Sequence, residues 1–183
     1  MASPRLLKLL LLAALALCIG SGAATAQGAK PPAADPLARF RASLLPPPAP
    51  SEISLRQSVY VPAYSSLVGA GGPARLDFAV TLAVRNTSAT LPLVVERIDY
   101  YDTNGNLVER YIPTAVAVRP LGTIEILIAT DDLRGGTGAN FLVDWGATQA
   151  ISEPVVEAVM VGSSGTRGFA FVSPGHPIRV LGK

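Results

Sequence analysis

Between Arg75 and Asn86 the chain alternates apolar and polar residues with a period of two. One set of positions holds Leu76, Phe78, Val80, Leu82 and Val84, and the other set includes Arg75, Asp77, Thr81 and Arg85. Successive side chains of a β-strand point to opposite faces of a sheet, so this pattern predicts a strand with one buried face.

Short stretches rich in β-branched and aromatic residues recur along the rest of the chain. They predict further strands at residues 58–64, 93–101, 107–112, 116–118, 123–128, 141–145, 155–161 and 168–172. Asn104-Gly105 is typical of a tight hairpin turn, because both residue types tolerate positive φ. Turns at intervals of about ten residues favour an all-β fold, an immunoglobulin-like antiparallel β-sandwich of about seven to nine strands.

Three residues carry more specific structural predictions. Pro62 has no N–H for a ladder hydrogen bond, so we expect the strand at residues 58–64 to lie at a sheet edge. A partner could add a β-strand at that edge, but Pro62 counts against this because it removes one of the donors that a partner strand would use. Trp145 shares a face with Phe141 and Val143 and is expected in the core. Glu157 lies among apolar residues, so it needs a cationic partner, and Arg97 or Arg110 could serve.

The first 26 residues have the features of a secretory signal peptide. Arg5 and Lys8 precede an apolar run from Leu9 to Ile19, and Ala24-Thr25-Ala26 has the small-x-small pattern that signal peptidase cleaves. The apolar run is too short to span a bilayer comfortably, so no transmembrane span is expected after cleavage. We predict a protein exported to the periplasm or the cell exterior.

Cys18 is the only cysteine, and it lies inside the apolar run of the leader. In Leu15-Ala16-Leu17, the bulky Leu17 directly before Cys18 stands where lipidation signals usually have a small residue, which favours cleavage over lipid anchoring at Cys18. The exported chain would then have no disulfide, thiol nucleophile or thiolate ligand. Residues 27–52 are rich in proline and alanine and predict a linker, which leaves residues 53–183 as the β-sandwich domain.

The charge balance argues against nucleic acid as a partner. The chain has 15 basic and 13 acidic side chains, and two of the basic ones, Arg5 and Lys8, lie in the leader. The remainder is neutral overall, so it offers no long-range attraction for phosphate backbones.

Loops carry function more often than strands, and two loops contain candidate binding residues. The first loop contributes Asp131, Asp132, Arg134 and Asn140, and the second contributes Ser163, Ser164 and Arg167. Asp131 and Asp132 beside Gly135-Gly136 could also offer oxygen ligands to calcium, although a solvated turn explains them as well. The oxygen-rich segment 102–106 is explained by its hairpin turn. No resident metal and no cofactor are predicted.

Catalytic chemistry has little support in the sequence. His176 is the only histidine, and Gly162-Ser163-Ser164-Gly165 lacks the spacing and the strand–turn–helix context of a nucleophile elbow. Zinc needs several His or Cys ligands, which the exported chain lacks. An enzyme acting on cell-wall carbohydrate or peptide would have to combine Asp131, Asp144 or Glu153 with His176.

Several blocks of sequence resemble domain-of-unknown-function family 3124, a group of small bacterial exported proteins. They are residues 59–65, 84–87, 99–105, 136–145 and 153–160. The resemblance covers residues 57–180 and implies bacterial export and one domain, but it implies no activity. Together these observations predict an exported, non-catalytic binding module of the cell envelope with a protein or glycan partner. The alternatives are the cell-wall enzyme and a calcium-stabilised structural domain.

Overall fold

Strands account for almost all regular structure in the computed structural model, which describes residues 35–69, 72 and 74–181. In chain order the strands are β1 (Leu44–Leu45), β2 (Leu55–Pro62), β3 (Ser66–Val68), β4 (Arg75–Arg85), β5 (Leu93–Tyr101), β6 (Leu107–Arg110), β7 (Val116–Val118), β8 (Thr123–Ile128), β9 (Asn140–Ala147), β10 (Val155–Ser164), β11 (Arg167–Pro174) and β12 (His176–Leu181). Short 3-10 helices lie at Ala38–Ser43, Pro50–Glu52 and Gly136–Gly138.

The strands form two antiparallel sheets. The seven-stranded sheet has the order β1-β7-β5-β9-β2-β12, with β6 also pairing with β5. The five-stranded sheet has the order β11-β10-β4-β3, with β8 also pairing with β4. The predicted antiparallel β-sandwich is therefore confirmed, and its immunoglobulin-like subclass stays a prediction.

The described residues contain more strands than the seven to nine predicted. The additional ones are β1 and β3, of two and three residues, and β12, which contains Pro177. Strands this short or interrupted by proline carry little alternation, so their pairing depends on the neighbouring strand rather than on their own pattern. The long strand β4 falls where the alternation predicts it, and β5 and β10 fall where the β-branched and aromatic stretches predict them.

The core lies between the inner faces of the two sheets. The five-stranded sheet contributes Phe78, Val80, Leu82 and Val84 from β4, which is the apolar set that the alternation marks. On the other sheet, Trp145 is 1% exposed, which confirms its predicted place in the core. Burial of each such side chain stabilises the fold by about 1.5–3 kcal/mol before conformational entropy is subtracted. A core of this kind can keep a domain folded without disulfide bonds.

The packed structure begins well before residue 53. Leu37 is 4% exposed, Phe40 and Leu44 pack against the core, and β1 pairs with β7. Segment 37–45 therefore belongs to the sandwich, because it supplies apolar side chains and a strand that the proline- and alanine-rich composition does not suggest. The predicted leader at residues 1–26, with Cys18, lies outside the described residues.

The prediction that the strand containing Pro62 lies at an edge is wrong. β2 lies between β9 and β12. Pro62 is the last residue of β2 and pairs with Asn140 of β9, whereas β12 starts with His176 opposite Tyr60. No described strand on the β12 side reaches Pro62, so the missing N–H leaves no ladder bond unmade there.

Candidate functional site

Strand register brings the two predicted binding loops to the same end of the sandwich. Gly162, just before the Ser163–Arg167 turn, lies opposite Phe78 of β4. Ile128, just before the loop at residues 129–139, lies opposite Val80 of the same strand. Both loops therefore emerge beside the start of β4, which places their polar residues within reach of a common surface.

A groove of about 530 Å³ lies at this end, on the outer face of the five-stranded sheet. Its walls combine a cation, an anion, hydroxyls and small apolar surfaces. The lining residues are Arg75, Leu76, Asp77, Ala79, Thr130, Val161, Gly162, Ser163 and Ser164. Of the residues predicted to bind, the structure brings Ser163 and Ser164 into this groove, together with Thr130 from the start of the other loop.

Asp77 is the group in the groove whose hydrogen bonding is incomplete. Its Oδ1 atom is buried and has no hydrogen-bond partner in the described structure. A buried acceptor without a donor costs free energy, and more so when it is charged. The neighbouring Arg75 donates from Nε to Ser66 Oγ at 2.7 Å rather than to this carboxylate. Asp77 thus keeps an unsatisfied acceptor, closed to solvent, in the wall of the groove.

Gly162 allows close pairing of β10 with β4 beside the groove. A Cβ atom there would lie 2.7 Å from the carbonyl oxygen of Asp77 and 2.8 Å from Phe78 Cδ1. A side chain would therefore collide with β4 on the core side of the sheet, where Gly162 lies opposite Phe78. A glycine within a strand, such as Gly162, could have indicated a close contact between two backbones. The sequence pattern did not identify Asp77 and Arg75 as site residues, because they look like ordinary outward-facing strand residues.

The charged groups of the other loop are engaged in its own structure. Arg134 donates to both carboxylate oxygens of Asp132, at 2.8 and 2.7 Å, and to Glu109 Oε2 at 3.2 Å. The hydrogen bond from Arg134 lowers the pKa of Asp132, and its hydrogen bond to Asp132 raises the pKa of Arg134. These three side chains tie the loop to β6 at Glu109.

Thr103 anchors the same loop from the β5–β6 hairpin. Its Oγ1 donates to the carbonyl of Gly135 and accepts from the amide of Gly138, both at 2.9 Å. Asn140 is the first residue of β9 and pairs with Tyr101 and Pro62. Asp131 is exposed, and so is Arg167, which faces Ser164 across the tight turn.

Arg97, Asp99, Arg110 and Asp144 form a charge network on the seven-stranded sheet, and sequence reasoning missed it. The side chain of Asp99 is 0% exposed, and it accepts from Arg110 Nε at 2.9 Å and lies 3.5 Å from Arg97 Nη1. Arg97 also donates from Nε to Asp144 at 2.7 Å, and these carboxylates raise the pKa of Arg97. Ser58 donates to the other oxygen of Asp144 at 2.6 Å. The network is internally balanced, which makes it a structural element.

The prediction that Arg97 or Arg110 pairs with Glu157 is wrong. Glu157 lies 3.4 Å from Arg85, whereas Arg97 and Arg110 contact carboxylates on the seven-stranded sheet. Arg85 lies two residues after Ala83 on β4, and Ala83 is opposite Glu157 in the ladder, so the pairing follows from strand neighbours that the sequence alone does not identify.

Asp102 accepts hydrogen bonds from Asn104 and Asn106 inside its hairpin turn, and the hydrogen bonds from Asn106 lower the pKa of Asp102.

The groups named for an enzyme lie apart in the described structure. His176 is exposed and begins β12, Asp144 belongs to the charge network, and Glu153 is exposed and precedes β10. In residues 35–69, 72 and 74–181, no ion pair or hydrogen bond joins His176 to a carboxylate. The same residues contain no group of three or more His, Cys, Asp or Glu side chains placed to hold a metal ion.

Residues 56–178 match the family described as "Protein of unknown function (DUF3124)". The chain belongs to this family. The match runs from β2 into β12 and confirms the resemblance seen in the sequence blocks. No curated protein matches the chain. A similar solved structure is the crystal structure of Thermotoga maritima 1070, with 10% identity and a TM-score of 0.42 over 66% of this chain and 92% of that chain.

Proposed function

We propose that this protein is an exported, non-catalytic binding module of the bacterial cell envelope, and that the groove at the start of β4 holds a glycan. The proposal depends chiefly on the Asp77 carboxylate, which has a buried Oδ1 without a partner at the edge of an open groove. A sugar hydroxyl in the groove can satisfy that oxygen when the Asp77 side chain turns it from its solvent-closed position toward the groove.

The rest of the groove suits a sugar as well. Thr130, Ser163 and Ser164 supply hydroxyls that both donate and accept, and Arg75 supplies a guanidinium. Ala79 and Val161 supply apolar surface for the C–H face of a sugar ring. Ligand sites commonly combine apolar walls with a few placed polar groups on a rigid scaffold, which is the arrangement here.

Export is supported by the leader-like residues 1–26 and by the family resemblance. No helix in the described part of the chain is long and apolar enough to cross a membrane. We expect the full chain, expressed in a bacterium, to be recovered from the periplasm or the medium with Gln27 as its first residue, as read by mass spectrometry of the intact protein.

Binding is tested by titration of the processed protein with disaccharide muropeptides released from bacterial cell wall by muramidase. Asp77→Ala should weaken binding about tenfold or more, because a charged hydrogen bond is lost. Asp131→Asn is the matched control, since it removes one carboxylate charge at the same end but outside the groove. Equal affinities of Asp77→Ala and wild type would exclude this groove as the glycan site.

A second titration uses the free stem peptide of the same muropeptides. The glycan proposal expects no binding of this peptide to the groove. Binding of the peptide at the affinity of the whole fragment, sensitive to Asp77→Ala, would assign the groove to peptide rather than sugar.

A further inference from the structure

β11 is the open edge of the five-stranded sheet. It pairs with β10 over eight consecutive positions, from Ser164↔Arg167 to Glu157↔Pro174, without a register shift. On its other side no strand pairs with it anywhere in the described residues. A long straight edge of this kind presents a row of backbone donors and acceptors that another strand can use.

The other sheet edges carry features that hinder strand addition. β12 contains Pro177 and a register shift between Pro177 and Arg179. β8 lies against the 3-10 turn Ala38–Ser43, with Arg39 bonded to Glu125 at 3.2 Å. The remaining edge strands, β1, β3 and β6, have two to four residues. Short strands, prolines, bulges and covering segments are the devices by which sheet proteins protect their edges.

β11 has none of these devices between Gly168 and Ser173. That stretch reads Gly-Phe-Ala-Phe-Val-Ser, with no charge and no proline. Its apolar side chains are unusually exposed, with Phe169 at 39% and Val172 at 54%, and Val161 on the adjacent β10 at 53%. The contrast with the other edges of the same molecule indicates that this edge is covered when the protein functions.

The turn geometry identifies the backbone groups on the open side. Ser164 and Arg167 close a two-residue turn, so they form a hydrogen-bonded pair, and such pairs alternate along an antiparallel ladder. Residues 167, 169, 171 and 173 therefore bond to β10. The residues that direct N–H and C=O to the open side are Gly168, Ala170 and Val172.

We propose that a second copy of this chain occupies the edge, with the two β11 strands antiparallel about a two-fold axis at Ala170. The open-side groups are symmetric about that residue, so Ala170 meets Ala170 of the partner copy and Gly168 meets Val172 at both ends. All the outward groups then pair, and the two five-stranded sheets become one continuous sheet.

The side chains and charges are compatible with this arrangement. Gly168 and Ala170 are small, which leaves the approach unobstructed, and Arg167 faces Ser173 rather than another cation. Residues 27–183 have equal numbers of acidic and basic side chains, so two copies do not repel each other through net charge. Pairing of identical strands about a two-fold axis also closes the assembly at two copies instead of leaving a new open edge.

The test is sedimentation of the processed protein, expressed as the full chain, over a range of concentrations. The wild type should have the mass of two chains. Ala170→Pro removes an N–H that points away from β10, so the monomer keeps its ladder while the dimer dissociation constant rises about a hundredfold. Ala170→Ser keeps the N–H and is the matched control, expected to remain dimeric.

Ala170→Lys provides a second disruption that leaves the backbone intact, in case Ala170→Pro does not fold. It should also shift the protein to monomers, because the two added cations lie directly opposite each other at the two-fold axis. A wild type that stays monomeric at all concentrations overturns the proposal, and so does a dimer unaffected by both substitutions. Monomers whose β11 amides become protected from hydrogen exchange only when another envelope protein is added would assign the edge to that protein instead.

Discussion

Gly135 is buried, and there is no room for a side chain at its position. An added Cβ would lie 1.9 Å from the Tyr100 hydroxyl oxygen and 2.6 Å from the Cβ of Ala139. The Tyr100 hydroxyl is itself buried without a hydrogen-bond partner among the described residues, and this burial raises its pKa. The glycine therefore serves the packing of the loop onto Tyr100.

Gly135→Ala is expected to lower the free energy of unfolding by about 2 kcal/mol, because the added methyl overpacks a closed site. Tyr100→Phe removes the nearest atom and should restore part of that loss in the double variant. Urea unfolding of the single and double variants measures both effects. Gly168→Ala is the control, since nothing lies within 4 Å of a Cβ there. Equal losses for the two glycine variants would contradict the packing argument.

At the scale of elements, the loop at residues 129–139 behaves as an extension of the β5–β6 hairpin. Thr103 contributes two side-chain hydrogen bonds and one backbone bond to it, and Arg134 connects it to Glu109. The loop is rich in Asp and Gly, which is typical of an adaptable binding loop. In the structure these residues hold a fixed conformation, and they thereby position Thr130 at the groove.

Thr103→Val keeps the shape of the side chain but removes both of its hydrogen bonds to the loop. We expect a loss of about 1–2 kcal/mol in the free energy of unfolding and faster hydrogen exchange at Gly138, whose amide loses its acceptor. Thr90→Val is the comparison, because Thr90 is exposed and its side chain has no hydrogen bond in the described structure. Unchanged exchange at Gly138 in Thr103→Val would show that the loop is held by other contacts.

For the whole molecule, the shifted pKa values define a range of pH in which the fold is most stable. The hydrogen bond from Arg134 lowers the pKa of Asp132. Near pH 4 and below, the unfolded chain therefore binds more protons than the folded chain, and the free energy of unfolding decreases as the pH is lowered. Burial raises the pKa of Tyr100 and Tyr111. Above about pH 10 the folded chain binds more protons, so stability falls as pH rises.

Thermal unfolding between pH 3 and pH 11 should therefore show a plateau with a fall at each end. The Tyr100→Phe/Tyr111→Phe variant should lose much of the alkaline fall, and Asp132→Asn should lose part of the acid fall. An alkaline fall as steep in the double tyrosine variant as in the wild type would show that other groups cause it. The measurement uses the melting temperature at fixed ionic strength.

The sequence by itself determined the class of fold. The alternation in residues 75–85 states which face of β4 is turned toward the core, because the period of a strand is a local property of the backbone. The Asn104-Gly105 turn, where Gly105 has φ of 81°, is equally local. The family was also recognisable from the order of residues along the chain, without knowledge of which strands are neighbours.

Only the tertiary structure decided which strands are neighbours, and the candidate site depends on that. Asp77 and Ser163 are far apart in sequence and meet because β4 and β10 pair in one particular register. The same holds for the Asp99 network and for the interior position of β2. Alternation states which face a side chain occupies but not which strand lies beside it, since that choice is settled by packing across the whole sandwich.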